Sequence, residues 1–348
     1  MLSFNKNIKL GNFNLSDTSP TFIIAEAGVN HNRDMKLAKE LIHAAIETKV
    51  NAIKFQTFKS ENVVLKGVEK AAYQKITTGT RQSQLEMLKE LELNVEETLE
   101  LKEYCQKQGI FFLTTVGEEE SFNAIKTSLE AYKASSSDFL NIPYIKNIAR
   151  QNKPVILSTG MCYLSEVRIV LQEVHKHNKD IILLQCTANY PITDNEANLA
   201  VINTFKQNFD MITGYSDHSS GVGAAPYAVA MGAKVIEKHF TIDKTLKGPD
   251  HKASLNPAEL KEMVNQIRKV EEYSGNGLKV PTLGETTTRA SLPKRLVAKK
   301  NIKKGELIKE EHLIAKRTGG VGLLPFYYKN LINTQAKQNF EEDDIIVI

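Results

Sequence analysis

Thr21-Phe22-Ile23-Ile24-Ala25-Glu26-Ala27-Gly28 is the stretch on which the fold turns. Its apolar residues run without polar alternation and stop at a carboxylate. Such a run predicts a strand covered on both faces, as in a parallel sheet. An open dinucleotide-binding sheet would place Gly-x-Gly-x-x-Gly just after its first strand, and Ala25-Glu26-Ala27-Gly28 lacks that pattern. The same texture recurs at Ala52–Phe55, Ile110–Leu113, Ala131–Ala134, Val155–Leu157, Ile181–Leu184, Met211–Thr213 and Val235–Ile236. Amphipathic stretches alternate with these runs: Met35–Thr48, Ser83–Gln108, Glu118–Thr127, Ile142–Gln151, Leu164–His177, Asn198–Asn208, Val222–Met231 and Pro257–Tyr273. Eight strand-helix units without a ninth predict an α/β fold, a closed (β/α)8 TIM barrel over residues 21–275.

The flanks read differently. Ile8-Lys9-Leu10 and Phe13-Asn14-Leu15 alternate around Gly11-Asn12, which predicts a hairpin within residues 1–20. Gly275-Asn276-Gly277 ends the last helix, and the polar residues 276–290, with Pro281 and Gly284, read as a linker. Residues 291–348 turn to short strands, Leu296–Lys299, Asn301–Ile308 and Leu313–Lys316, in a domain near the lower limit for folding alone. That domain holds 11 Lys and Arg against 7 Asp and Glu, which is the whole net charge of +4 of the 348-residue chain. An excess that small predicts no nucleic-acid partner. Three cysteines without CxxC spacing argue against a disulfide framework or a zinc ribbon. Without a membrane-length apolar run or a basic-then-apolar leader, no membrane partner is expected and the chain is placed in the cytoplasm.

In a barrel, chemistry gathers where the strands end. Lys54 and Lys133 end the second and fourth strands, with Thr115, Ser136 and Ser158 on nearby ends. Two ammonium groups and several hydroxyls at one mouth suit a phosphate or a carboxylate, the competing reading being solvated rim charges. His218 and His239 end the neighbouring seventh and eighth strands. Two imidazoles there can share a divalent cation with positions left open, which suits Mn²⁺ or Mg²⁺ better than structural zinc. The competing reading is a hydrogen-bonded core pair. His251 is a third ligand or, in the preferred reading, only the neighbour of a loop-delivered Asp250. His43, His175, His177 and His312 read as surface residues and His31 as a turn residue. Glu26 ends the first strand and suits a general base or a group that orients a hydroxyl.

These residues resemble a known family. Ile24-Ala25-Glu26-Ala27-Gly28-Val29-Asn30-His31, Ile53-Lys54-Phe55-Gln56-Thr57, Leu157-Ser158-Thr159-Gly160-Met161, Tyr215-Ser216-Asp217-His218, Ile236-Glu237-Lys238-His239-Phe240 and Gly248-Pro249-Asp250 look like the sialic acid synthase (N-acetylneuraminate synthase) family. The tail from Leu296 through Arg317 is similar to that family's antifreeze-like (SAF) domain. The resemblance implies a barrel followed by a SAF domain. It implies a transferase that condenses phosphoenolpyruvate with an N-acetylmannosamine-type sugar, giving a nine-carbon keto acid and phosphate. It implies Mn²⁺, with Mg²⁺ or Co²⁺ as substitutes, on His218 and His239, and Lys54, Thr115, Lys133, Ser136 and Ser158 around phosphoenolpyruvate. Glu26, Gln56, Asp138, Tyr190 and Asp250 would take the catalytic and sugar-positioning roles. The partners implied are the two small molecules and a second copy, in a domain-swapped homodimer that lays Arg317 on the acceptor's acyl group.

Three stretches depart from the family's pattern. Thr114-Thr115-Val116 stands where Ser-Thr-Pro is usual, Asp138 where a glutamate is usual, and Ala188 where a sugar-contacting amide is usual. Ala71-Ala72-Tyr73-Gln74, Ser83-Gln84-Leu85-Glu86-Met87 and Asn195-Glu196-Ala197-Asn198-Leu199 look more like the N,N'-diacetyllegionaminate synthase branch, whose acceptor is 2,4-diacetamido-2,4,6-trideoxymannose. The alternatives are a pseudaminic acid synthase, a pyruvate-dependent metal aldolase, and a carbohydrate-binding protein without catalysis.

Overall fold

Eight parallel strands form a closed barrel in the computed structural model, which describes residues 2–346. They are β1 (Phe22–Gly28), β2 (Ala52–Thr57), β3 (Phe111–Val116), β4 (Tyr132–Ala134), β5 (Val155–Ser158), β6 (Ile181–Cys186), β7 (Ile212–Asp217) and β8 (Val235–His239). The barrel closes where β8 pairs with β1, in the register Val235↔Phe22 through His239↔Glu26.

Alternation along each strand sorts the side chains into two cores. Phe22, Ile24, Ala52, Leu113, Ala131, Ile156, Ile182, Leu184, Ile212 and Val235 form one cluster inside the barrel. Their neighbours Ile23, Ala25, Ile53, Phe55, Leu157, Leu183 and Ile236 join the helices in the other. The first helix, Met35–Glu47, shows how: it buries Ala38, Leu41, Ile42 and Ala45 at i, i+3, i+4, i+7 spacing, and Asp34 caps its first turn. Crowding inside the barrel is severe at Gly214. A Cβ there would lie 2.3 Å from the Val235 carbonyl oxygen and 2.6 Å from Leu184.

The hairpin pairs Asn7–Leu10 with Phe13–Ser16, and its Ile8, Leu10 and Leu15 join the inner cluster. It therefore seals the end of the barrel where the strands begin. The stretch Ser83–Gln108, expected as one helix, is two: Gln84–Lys89 and Val95–Gln108. The break has a local cause, because Asn94 and Glu97 form a capping box that starts the second helix afresh.

The chain divides into two compact units, Met1–Gly275 and Asn276–Ile348. In the second, Arg295–Ala298 pairs antiparallel with Leu313–Lys316 over a core of Leu296, Ala298, Ile302, Ile308, Leu331 and Phe340. Asn301–Ile308, expected as a strand, is a loop that makes single bridges at Ile302 and Leu307. Residues 276–290, read as a linker, fall in this unit and lead into a short helix, Thr286–Ser291, that buries none of its residues. His312, read as a surface residue, is buried there. Among the described residues no helix is long and apolar enough to cross a membrane.

Candidate active site

The same alternation that fills the lower barrel with apolar side chains changes character above it. The inner positions nearest the strand ends are Glu26, Lys54, Gln56, Thr115, Lys133, Ser158, Cys186, Ser216, Glu237 and His239. With residues of the following loops they line one cavity of about 520 Å³. Every barrel residue expected to carry chemistry lines it, including Ser136, Asp138, Tyr190, His218 and Asp250. Arg317 belongs to the second unit, where it is exposed just past the strand Leu313–Lys316.

The floor of the cavity is an ionic cluster. Lys54 Nζ lies 3.1 Å from Glu26 Oε2 and 3.3 Å from Glu237 Oε2, and it donates to Thr115 Oγ1 at 2.8 Å. Lys133 Nζ donates to Ser158 Oγ at 2.8 Å and lies 3.7 Å from Glu237 Oε1. Both lysines are only 3% exposed, so neither is a solvated rim charge. Burial disfavours the Lys54 ammonium, but Glu237 and Glu26 outweigh that and hold its pKa above the ordinary lysine value. Burial pulls Lys133 down, with Glu237 opposing. Burial would also push Glu237 up, yet Lys133 and Lys54 reverse this and bring it to about 2. Glu26 goes the other way, to about 7, because burial and the charge of Glu237 exceed the pull of Lys54. Gln56 Nε2 donates to its Oε1 at 3.0 Å. The cluster thus sets a held cation, Lys54, and a firm anion, Glu237, beside an amine drawn downward and a carboxyl drawn up to about 7.

The wall at β7 and β8 carries the imidazoles, with ring centroids 5.6 Å apart. His218 Nδ1 lies 2.7 Å from the Thr187 carbonyl oxygen and donates there, which leaves Nε2 as the nitrogen free for a ligand. Burial works against its charged form, but Cys186 and Thr187 outweigh that and hold it above the ordinary histidine value. His239 Nδ1 is buried without a hydrogen-bond partner, 3.9 Å from Asp250 Oδ2. Burial, with His218 and Lys54 nearby, holds His239 well below the ordinary histidine value, so it is a neutral imidazole. The Tyr190 ring packs against both, with centroids at 4.0 Å from His218 and 5.2 Å from His239. Ser136 Oγ accepts the Gly160 N–H at 2.9 Å, and Asp138 accepts from Ser135 Oγ at 2.6 Å.

Strand-end position alone does not decide which way a side chain faces. Thr114 and Asp217 follow apolar runs but point outward. Thr114 bonds Thr57, and Asp217 pairs with Lys238 at 3.0 Å and caps the loop after β7. His251 is no neighbour of the imidazole pair: it bonds Thr241 Oγ1 at 2.7 Å and Asn32 Oδ1 at 3.2 Å. His31 stands in the turn expected of it and is fully buried there. Glu237, the bridge between both lysines, was not assigned a role. Its signal was present, since Glu237 and His239 stand two apart on one strand and so face the same way.

The model of the NeuB family matches residues 41–279, and that of the SAF domain matches residues 294–347. The chain belongs to the NeuB family. It is 43% identical over 330 residues to the N,N'-diacetyllegionaminic acid synthase of Campylobacter jejuni subsp. jejuni, covering 94% of this chain and 98% of that one. It is 42% identical over 324 residues to the protein of the same name from Legionella pneumophila subsp. pneumophila, covering 91% of each. Among solved structures, the N-acetylneuraminic acid (sialic acid) synthetase from Leptospira borgpetersenii serovar Hardjo-bovis, in complex with citrate, aligns with a TM-score of 0.75 at 35% identity. That alignment covers 82% of this chain and 96% of the other. The NeuB-family match thus spans the strands that build the cavity from β2 onward.

Proposed function

We infer that this NeuB-family chain is a nonulosonic acid synthase that joins phosphoenolpyruvate to an N-acetylmannosamine-type sugar, with 2,4-diacetamido-2,4,6-trideoxymannose as the acceptor and N,N'-diacetyllegionaminate as the product. The observation that carries the reading is the buried floor, where two lysines and three hydroxyl-bearing strand ends face one cavity. Lys54, Lys133, Thr115, Ser136 and Ser158 bind the phosphate and carboxylate of phosphoenolpyruvate, because preorganised donors in a water-poor site cost little to reorganise. Held there, the methylene carbon attacks the aldehyde carbon of the sugar. The enol double bond supplies the new carbon–carbon bond, and the aldehyde oxygen takes a proton. Water adds at C2, the C2–O bond to phosphate breaks with its electrons leaving on phosphate, and loss of a proton gives the ketone. Glu26 is suited to receive the proton from that water, with Gln56 fixing its carboxyl. Tyr190, Asp138 and Asp250 bound the acceptor side.

The imidazole pair fits a divalent cation, Mn²⁺ first and Mg²⁺ or Co²⁺ next. His239 offers a buried nitrogen without a partner and His218 its Nε2, two donors that leave the other positions open. Bound there, the ion would supply Lewis-acid polarisation of a carbonyl oxygen. A homodimer in which the partner's Arg317 reaches the acyl group, and a place in the cytoplasm, complete the proposal and rest on the family resemblance.

The test is release of inorganic phosphate from phosphoenolpyruvate with each of three acceptors: the trideoxy sugar, N-acetylmannosamine and the pseudaminate precursor. Carbon–oxygen cleavage predicts that ¹⁸O placed in the bridging position of phosphoenolpyruvate emerges in phosphate. Release with none of the three sinks the synthase reading, and the fastest of them names the acceptor.

A further inference from the structure

β7 and β8 pair from Tyr215↔Ile236 to Asp217↔Lys238, and His218 and His239 stand one residue past that last pair. Alternation turns Asp217 and Lys238 outward, toward the helices, into a layer where Ala25, Tyr215, Ile236 and Phe240 belong to the outer core. Both are only 1% exposed, and Lys238 Nζ lies 3.0 Å from Asp217 Oδ2. The pair also gathers the loop that leaves β7. Asp217 Oδ1 accepts the Ser219 N–H at 2.8 Å and its hydroxyl at 2.6 Å, and Oδ2 accepts the Ala225 N–H at 3.1 Å. Lys238 Nζ donates to the Ser219 carbonyl oxygen and reaches Ser219 Oγ at 3.3 Å. The residues on both sides of His218 are thereby tied to the residue that precedes His239.

We propose that Asp217 and Lys238 are positioning residues that fix the spacing of the His218 and His239 side chains, so that the two imidazoles meet one divalent cation. The inference rests on the cation site read above and adds the groups that hold it ready. A buried ion pair contributes little net stability, because both charges give up water and apolar side chains of similar volume often pack as well. Stability alone therefore does not account for a lysine and an aspartate in an apolar layer. Their place in the chain does. The two rings, with centroids 5.6 Å apart, hang from separate strands beyond the last paired residues. A metal-binding histidine is ordinarily steered by a hydrogen bond on its other ring nitrogen. His218 has such a bond, to the Thr187 carbonyl oxygen, but His239 Nδ1 has no partner. The placement of the His239 ring thus depends on packing against Tyr190 and on its own backbone, which Lys238 anchors to the loop that carries His218.

The test counts free Mn²⁺ by electron paramagnetic resonance over the metal-free full-length protein, its Lys238→Met variant and the double variant Asp217→Asn, Lys238→Met. The single variant strands the Asp217 charge, whereas the double variant removes both charges and keeps an oxygen for the Ser219 N–H. The double variant should regain most of the thermal stability that Lys238→Met loses, yet Kd for Mn²⁺ should stay about tenfold weaker than the parent's in both. Saturating Mn²⁺ should then return kcat towards the parent value with KM for phosphoenolpyruvate little changed, since the floor binds that substrate. Parent-like Mn²⁺ affinity in the folded double variant overturns the proposal. So does failure of both variants to fold, which would make the pair a structural element. A parent that binds no Mn²⁺ removes the cation site and the proposal with it. Mn²⁺ binding by the parent without phosphate release from any acceptor defeats the synthase reading alone and leaves the positioning role standing.

Discussion

The lower and upper halves of the barrel interior are built by the same eight strands under the same alternation, yet they do opposite things. Below, Ile24, Ala52, Leu113, Ala131 and Ile156 are buried, apolar and interlocked, with the hairpin's Ile8 and Leu10 closing the end. One step of two residues up those strands, Glu26, Lys54, Thr115, Lys133 and Ser158 are just as buried, at 7% exposure or less, but charged or polar. Burial without solvent favours the first set and penalises the second. The upper layer persists because its charges compensate one another at 3.1 to 3.7 Å around Glu237 and Lys54. Stability is therefore held in one layer and chemistry in the next, with no change of scaffold between them.

The hardest blow to this division is Lys133→Met. It removes an ammonium group from the floor, while Glu237 keeps Lys54 as a partner. We expect kcat/KM for phosphoenolpyruvate to fall by about a thousandfold, the scale of losing a preorganised donor to developing charge. The thermal transition, followed by circular dichroism, should move far less than that loss of activity would suggest. Comparable loss of fold and function would mean that the upper layer is structural after all.

Leu184→Ala makes the reciprocal cut. Leu184 is fully buried, two residues below Cys186 on β6, in contact range of Gly214 on β7. The space it vacates cannot collapse, because the barrel wall is continuous on either side. Denaturant titration should show a loss of about 3 kcal/mol. At temperatures where the variant is folded, kcat should stay close to that of the parent enzyme. A large drop in kcat would show that the two layers are mechanically coupled.

Much of this was legible in the residues. Eight non-alternating apolar runs gave the barrel, because a strand covered on both faces has no polar side to display. The strand ends gave the right neighbourhood, but facing was read from the end of each run rather than from the period of two. That is why Glu237, which faces the same way as His239, received no role. The stretch Ser83–Gln108 was harder. Leu85, Leu88, Leu91 and Leu93 keep a helix-like spacing through the break, and only the Asn94-x-x-Glu97 cap marks the restart. The burial of His312 had no local signal, since it depends on how the small unit folds around Ile302 and Ile308.

Glu26 sits where the two layers meet, two residues above Ile24 on β1, and gives the finest test of the boundary. Its carboxyl is raised to about 7, by burial first and by the charge of Glu237 after that. If the reaction needs it ionised, kcat/KM should climb about tenfold per pH unit below 7 and level off above, since kcat/KM reports the free enzyme. Glu26→Gln should flatten that limb as well as lowering its plateau. Stability runs the opposite way. The fold prefers the protonated acid and the unfolded chain does not, so the folded state binds more protons between the ordinary glutamate value and about 7. Stability contributed at this position therefore falls as pH rises through that window. Glu26→Gln, which cannot ionise, should lose that dependence and gain stability relative to the parent as pH rises. Activity and stability that rose together with pH would place Glu26 with the structural layer below it.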